Sequence, residues 1–245
     1  MSPDSSSQPL GGGGDEGYLK FSLNWDESEI HIPEHIFKQL QEWRDRLYAA
    51  GVVGAYDDGI GYGNISHRVP EETASTSTRP DSDDAKETLA AEAQEERLPV
   101  IHFFITGSAT GNFAQLRPEH YARVTGYSLE KNSLSCRGLT KASSESLSHA
   151  AIYEALPWVG AVAHVHSSEL WHTHRDRLPT TNPAAAYGTP EMALALKNLA
   201  GNVATKNERV IIMGGHEDGV ISFGKSLDEA GAAIFSLFEH GVSRR

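Results

Sequence analysis

The chain has 245 residues, 39% of them hydrophobic, which is enough for one α/β domain with a sizeable core. A formal net charge of −12 argues against nucleic acid and anionic membrane as partners, because both need a basic surface. The one cysteine, Cys136, has no internal disulfide partner and fits a reducing compartment. No apolar run reaches transmembrane length, so the expected location is the cytoplasm.

In chain order, residues 1–17 (MSPDSSSQPLGGGGDEG) are polar and glycine-rich, without the basic start or apolar core of a secretory signal, and read as a disordered tail. Residues 18–245 read as a single domain. An amphipathic helix is predicted over 33–50: Pro33 suits a first turn, Ile36, Phe37, Leu40, Trp43 and Leu47 recur at helical spacing, and Gly51 stops it. After a strand at 63–69 comes an acidic stretch, 70–99, with nine acidic residues against three basic, half of the net charge. It is rich in Ser, Thr and Ala, lacks an apolar period before Leu98, and reads as a mobile insertion between two strands. A weak helix over 84–96 is a second reading, and the acidity also fits adaptation to high salt. Strands are expected at 100–106, 122–129, 160–166, 209–213 and 219–223, with a short one around Cys136. Helices are expected at 143–156, 190–200 and 226–240. Many of the strand connections are short or lack a crossover helix, which favours a three-layer α/β/α domain with a central, mostly antiparallel sheet. The run GIGYGN leads into a strand and not a helix, a poor match to a dinucleotide loop.

The segment AVAHVHSSELWH carries the most chemistry. His164 and His166 are two residues apart in a strand, so both imidazoles leave one face. Two readings stand at this point, a pair of ligands for a divalent metal or two histidines that hydrogen-bond at a strand end. Downstream, RVIIMGGHEDGVISFG places His216 in a glycine-flanked turn between two strands, where packing alone gives no reason for a histidine. Upstream, KASSESLSHAAIYEALP opens a helix with Ser143, Ser144 and Glu145. That start is either an ordinary cap or, through its hydroxyls and free N–H groups, an anion site. The glycines Gly107 and Gly111 would let backbone amides approach the same anion closely.

The order of these pieces resembles the class II aldolase/adducin family. GYGNISHRV is similar to the family's Gly-Asn-x-Ser segment, ITGSATGN to its Thr-Pro-x-Gly loop, and KASSES to its Ser-Ser-Glu segment. AVAHVH, YGTPEM and MGGHEDGVISFG are similar to its His-x-His, Gly-Thr-x-Glu and Asn-His-Gly segments. The resemblance implies His164, His166 and His216 as metal ligands, with Glu145 as a carboxylate that ligates the metal or moves a proton. It implies an anion pocket of Asn64, Thr106, Gly107, Ser143 and Ser144, and a ring-like homotetramer with sites at subunit interfaces. The sequence departs from the family's aldolases between the His-x-His pair and Tyr187. There a loop carrying their proton-donating tyrosine is shortened, and Tyr187 sits where the family tends to have an aromatic packing residue. The shortened segment holds WHTHRDR, which reads either as a solvated helix or as the source of a replacement acid, with His172 and His174 as auxiliary candidates.

The expected activity is that of a metal-dependent lyase or isomerase. It would act on a small phosphorylated sugar or hydroxy-carbonyl acid through a metal-stabilised enediolate. Zn²⁺ is expected first, and Fe²⁺, Mn²⁺ or Co²⁺ accept the same ligands. The alternative is a non-catalytic, adducin-like binding or scaffold protein with a vestigial metal site.

Overall fold

The computed structural model describes residues 19–69, 101–204 and 208–242. The tail expected at 1–17, the acidic insertion expected at 70–99 and its helical reading at 84–96 lie outside the described residues.

Ten strands and five helices are found among the described residues. Strands β1 (Ser22–Asp26), β4 (Asn64–Arg68), β5 (Phe103–Thr106), β6 (Tyr121–Ser128), β7 (Ser133–Arg137), β8 (Ala161–His166), β9 (Val210–Ile212) and β10 (Gly219–Gly224) form one sheet. Its order is β1-β7-β6-β5-β4-β8-β10-β9. Every neighbouring pair is antiparallel except β1 with β7. The short strands β2 (Gly54–Ala55) and β3 (Gly61–Tyr62) make a separate hairpin. The helices are α1 (Glu34–Ala49), α2 (Ser146–Ala155), α3 (Ser168–His174), α4 (Pro190–Ala204) and α5 (Leu227–Val242). This is the expected α/β/α sandwich around a mostly antiparallel sheet.

The two faces of the sheet follow from period-two alternation. Phe103, Ile105, Val162, Ile221 and Phe223 pack with Leu147, Ile152, Met192 and Leu196 of α2 and α4. Phe104, Ala161, Ala163, Val165 and Val220 pack on the opposite face with Ile36, Leu40 and Trp43 of α1 and Ile234 of α5. In β8 the even positions therefore face α2, and His164 and His166 continue the row begun by Val162 to the end of the strand.

Three local differences from the sequence reading have physical causes. The helix expected from 143 begins at Ser146, because the Ala142 backbone is held in a bridge with Gly107 and the chain turns before the helix starts. Glu145, not a serine, occupies the cap position, and no side chain caps the helix. The segment read as a solvated helix is α3, which is capped by Ser167 and buries Leu170, Trp171 and His174. Strand β1, which no sequence pattern marks, is held at the sheet edge by parallel pairing with β7 and by the Trp25 indole donating to the Gly138 carbonyl at 2.9 Å.

Candidate metal centre

A cleft of about 260 Å³ opens where β8 ends and β4 and β10 begin, near the start of α2. Antiparallel register places His164 opposite Asn64 on one side and Ile221 on the other, while His166 faces Gly219. The turn from β9 to β10 then brings His216 over the same point. It is pressed against residues 181–185: a Cβ on Gly215 would fall 1.9 Å from the Ala185 carbonyl oxygen, so only glycine lets the backbones meet. All three histidines are buried.

Their rings converge. Centroids lie 4.9 Å apart for His164 and His166, 5.1 Å for His164 and His216, and 4.7 Å for His166 and His216. One ligand atom from each lies within 4.8 Å of the others. Nε2 of His164 and Nε2 of His166 are 3.1 Å apart. Two nitrogens bound to one tetrahedral zinc at its usual bond length would be about 3.3 Å apart. Burial, with smaller contributions from His166 and His216, holds the His164 imidazole well below its ordinary pKa and therefore neutral. Its Nδ1 lies 3.2 Å from the Val220 carbonyl, which can only accept, so the proton sits on Nδ1 and the Nε2 lone pair points into the cluster. His166 is held by a different kind of group, the Tyr56 hydroxyl 2.8 Å from its Nδ1. The donor atoms and their spacing are those that a divalent transition metal requires, and His164 already has the protonation.

Glu145 lines the same cleft and is buried. Its Oε2 accepts from the Ser148 hydroxyl at 2.6 Å, and Oε1 has no hydrogen-bond partner among the described residues. A buried carboxylate oxygen without a partner, on a residue that lines the cleft, is available to a ligand or a proton.

Asn64, Gly107, Ser143 and Ser144 line the cleft as well. The buried Asn64 Oδ1 is likewise without a partner among the described residues. Thr106 does not line the cleft; its hydroxyl accepts from the Ile65 N–H at 3.3 Å and ties β4 to β5. His172 is exposed, with Nδ1 2.9 Å from the Ser168 carbonyl, and His174 is buried at the end of α3; neither lines the cleft. Tyr187 lines it as an aromatic packing group, stacked on His216 at 4.5 Å with Lys20 over its ring.

Sequence reasoning missed three contributors. Tyr56 and Tyr62 sit on the β2–β3 hairpin; GIGYGN reads only as a glycine run that leads into a strand, and gives no sign that aromatics in or beside it reach His166. Arg44, on the buried face of α1, donates to the carbonyls of Gly111 and Phe113 and so anchors the loop that lines the cleft at residues 107–111.

The family model for the class II aldolase and adducin N-terminal domain matches residues 48–239. The chain belongs to the class II aldolase/adducin family. Among solved structures, L-fuculose-1-phosphate aldolase from Thermus thermophilus is similar in fold, with 19% identity, a TM-score of 0.52 and coverage of 84% of this chain and 91% of that one. A sugar-phosphate aldolase from Thermotoga maritima gives 15% identity and a TM-score of 0.55 over 86% of this chain and 98% of that one. An aldolase II superfamily protein from Pseudomonas syringae gives 15% identity and a TM-score of 0.52 over 85% and 75%. Comparison with curated protein sequences gives no match.

Proposed function

We propose that this class II aldolase/adducin family member is a metal-dependent lyase or isomerase of a small phosphorylated sugar or hydroxy-carbonyl acid. The observation that carries this reading is the placement of three converging imidazoles and of Glu145, whose buried Oε1 has no partner among the described residues, in the lining of one cleft. A divalent ion at the histidines would supply a Lewis acid for a carbonyl or hydroxyl oxygen. Glu145 then moves the proton at the adjacent carbon, and Asn64, Gly107, Ser143 and Ser144 hold the anionic end of the substrate. Zinc is the ion we expect, with Fe²⁺, Mn²⁺ and Co²⁺ suited to the same donors. We place the protein in the cytoplasm as a homo-oligomer, with a tetramer as the expected form. Among the described residues no helix is long and apolar enough to cross a membrane.

Metal analysis of the purified protein, followed by a screen of sugar phosphates and hydroxy acids, tests the proposal. About one ion per chain is expected, with binding abolished in His164→Ala, His166→Ala and His216→Ala. Full occupancy in the three variants would overturn it. Stoichiometric metal without turnover of any compound would transfer the reading to the adducin-like binding role.

A further inference from the structure

We propose that Tyr56 is a positioning residue for His166, fixing through its phenol the ring orientation and tautomer that turn Nε2 of His166 toward a metal ion. The inference rests on the metal-centre reading above and extends it to a residue outside the ligand set.

The phenol oxygen lies 2.8 Å from Nδ1 of His166. Tyr62 stacks on the same imidazole, with centroids 5.5 Å apart and planes 27° apart, and its ring meets that of Tyr56 at 4.6 Å. Both tyrosines flank the turn of one hairpin. The Tyr56 N–H donates to the Ile60 carbonyl at 2.9 Å, and the Gly59 N–H donates to the Tyr56 carbonyl at 2.8 Å. Gly59 and Ile60, at the turn of that hairpin, line the cleft. One short element therefore contributes to the cleft wall and holds a metal ligand.

The two β8 histidines are held by different chemistry. The Val220 carbonyl, 3.2 Å from Nδ1 of His164, belongs to the central sheet and only accepts. A phenol both accepts and donates. With no ion present, His166 is able to donate from Nε2 to Nε2 of His164, 3.1 Å away, while the phenol donates to Nδ1. To ligate, His166 must carry its one proton on Nδ1, and the phenol then accepts it. The count of protons is unchanged, and the phenol is a partner in both arrangements, a role no phenylalanine can fill. Groups that orient a ligating histidine in this way typically contribute 10- to 100-fold in metal affinity.

The test uses the full chain, stripped with chelator and titrated with Co²⁺, whose visible absorption reports ligand geometry. The wild-type chain should bind about one Co²⁺. Tyr56→Phe should bind about 10- to 100-fold more weakly, with a changed visible spectrum. Tyr62→Phe keeps its ring on His166 and loses only the hydroxyl that donates to the Gly51 carbonyl, so its Co²⁺ affinity should stay within about twofold. Wild-type affinity and spectrum in Tyr56→Phe would overturn the proposal, as would an equal loss in Tyr62→Phe, which would assign the effect to a general loosening of the hairpin. Failure of the wild-type chain to bind Co²⁺ would instead remove the metal centre itself. Because Tyr56 is 38% exposed, the phenylalanine variant should fold. Should it not, ¹⁵N spectra of the zinc-loaded wild-type protein give the answer, since a His166 ring protonated on Nδ1 supports the proposal and one metallated there refutes it.

Discussion

Glu145, which lines the cleft with His164, His166 and His216, accepts a hydrogen bond from the Ser148 hydroxyl at 2.6 Å through Oε2, which leaves its second oxygen, Oε1, buried and without a partner among the described residues. Ser148 lies one helical turn along α2, so the carboxylate is aimed by its own helix and not by the substrate. In Glu145→Gln the amide carbonyl still accepts from Ser148, and fold and metal content should be retained. Turnover, read as metal-dependent exchange of substrate hydrogen with D₂O, should fall about 10²- to 10⁴-fold. Exchange at the wild-type rate in this variant would remove Glu145 as the proton-transfer group.

A second prediction concerns the loop that lines the cleft at residues 107–111. Arg44 is 1% exposed and makes no ion pair among the described residues. Its guanidinium donates to the carbonyls of Gly111, Phe113 and Ala114 at 3.1, 2.7 and 3.4 Å. The anchored loop packs backbone to backbone on the β2–β3 hairpin, since a Cβ on Gly111 would meet the Gly54 carbonyl oxygen at 1.9 Å. Arg44→Met would leave these carbonyls short of a donor and should cost about 2–4 kcal/mol in urea unfolding, with faster amide exchange over residues 110–116. Unchanged exchange there would mean that the loop is held by its glycine packing alone.

The layers and most elements were legible because each buries one face and so imposes its period on the sequence. The α1 helix shows this in Ile36, Leu40, Trp43 and Leu47, and β8 in its unbroken apolar run. His164 and His166 were legible as a pair for the same reason, since strand alternation fixes their common face. Tyr56 was not, because its contact with His166 spans 110 residues and depends on a hairpin whose strands are two residues each, too short to leave a pattern. Thr106 carries a motif position yet uses its hydroxyl between strands, a choice set by the register of β4 against β5. The helix-dipole argument for Ser143 and Ser144 located the right segment but not the helix start, which the bridge between Ala142 and Gly107 decides.

A third prediction follows from a buried polar cluster behind the sheet. Ser66 of β4 lies 2.7 Å from Nδ1 of His149 and 2.8 Å from the Tyr153 hydroxyl, both on α2. Burial pushes the His149 pKa down to about 3, so the folded protein keeps it neutral, while in the unfolded chain it titrates near the ordinary value of about 6.5. Between these values the unfolded state binds a proton that the native state does not, so this contribution to stability is complete above about pH 6.5 and is lost as pH falls toward 3. His149→Gln keeps a polar partner for Ser66 without the titration. Urea unfolding from pH 7 to pH 4 should show a shallower loss in the variant, by up to about 1.4 kcal/mol per pH unit within that window. Parallel pH profiles would show that His149 does not titrate on unfolding.

The final prediction concerns the acidic segment between β4 and β5. Arg68 pairs with Phe103 across the two strands, and the Val69 N–H donates to the His102 carbonyl at 2.9 Å. The chain therefore leaves the sheet and returns to it at two hydrogen-bonded positions, a separation that a hairpin turn spans. Replacing residues 71–100 with a four-residue Gly/Asn turn shortens the connection by nearly three doublings, which lowers the closure entropy by about 2 kcal/mol. It also removes nine acidic and three basic residues and so halves the net charge. The shortened protein should keep its metal content and melt at or above the wild-type temperature. A lower melting temperature, or loss of a cooperative transition, would show that residues 71–100 add packing to the domain beyond closing the chain between β4 and β5.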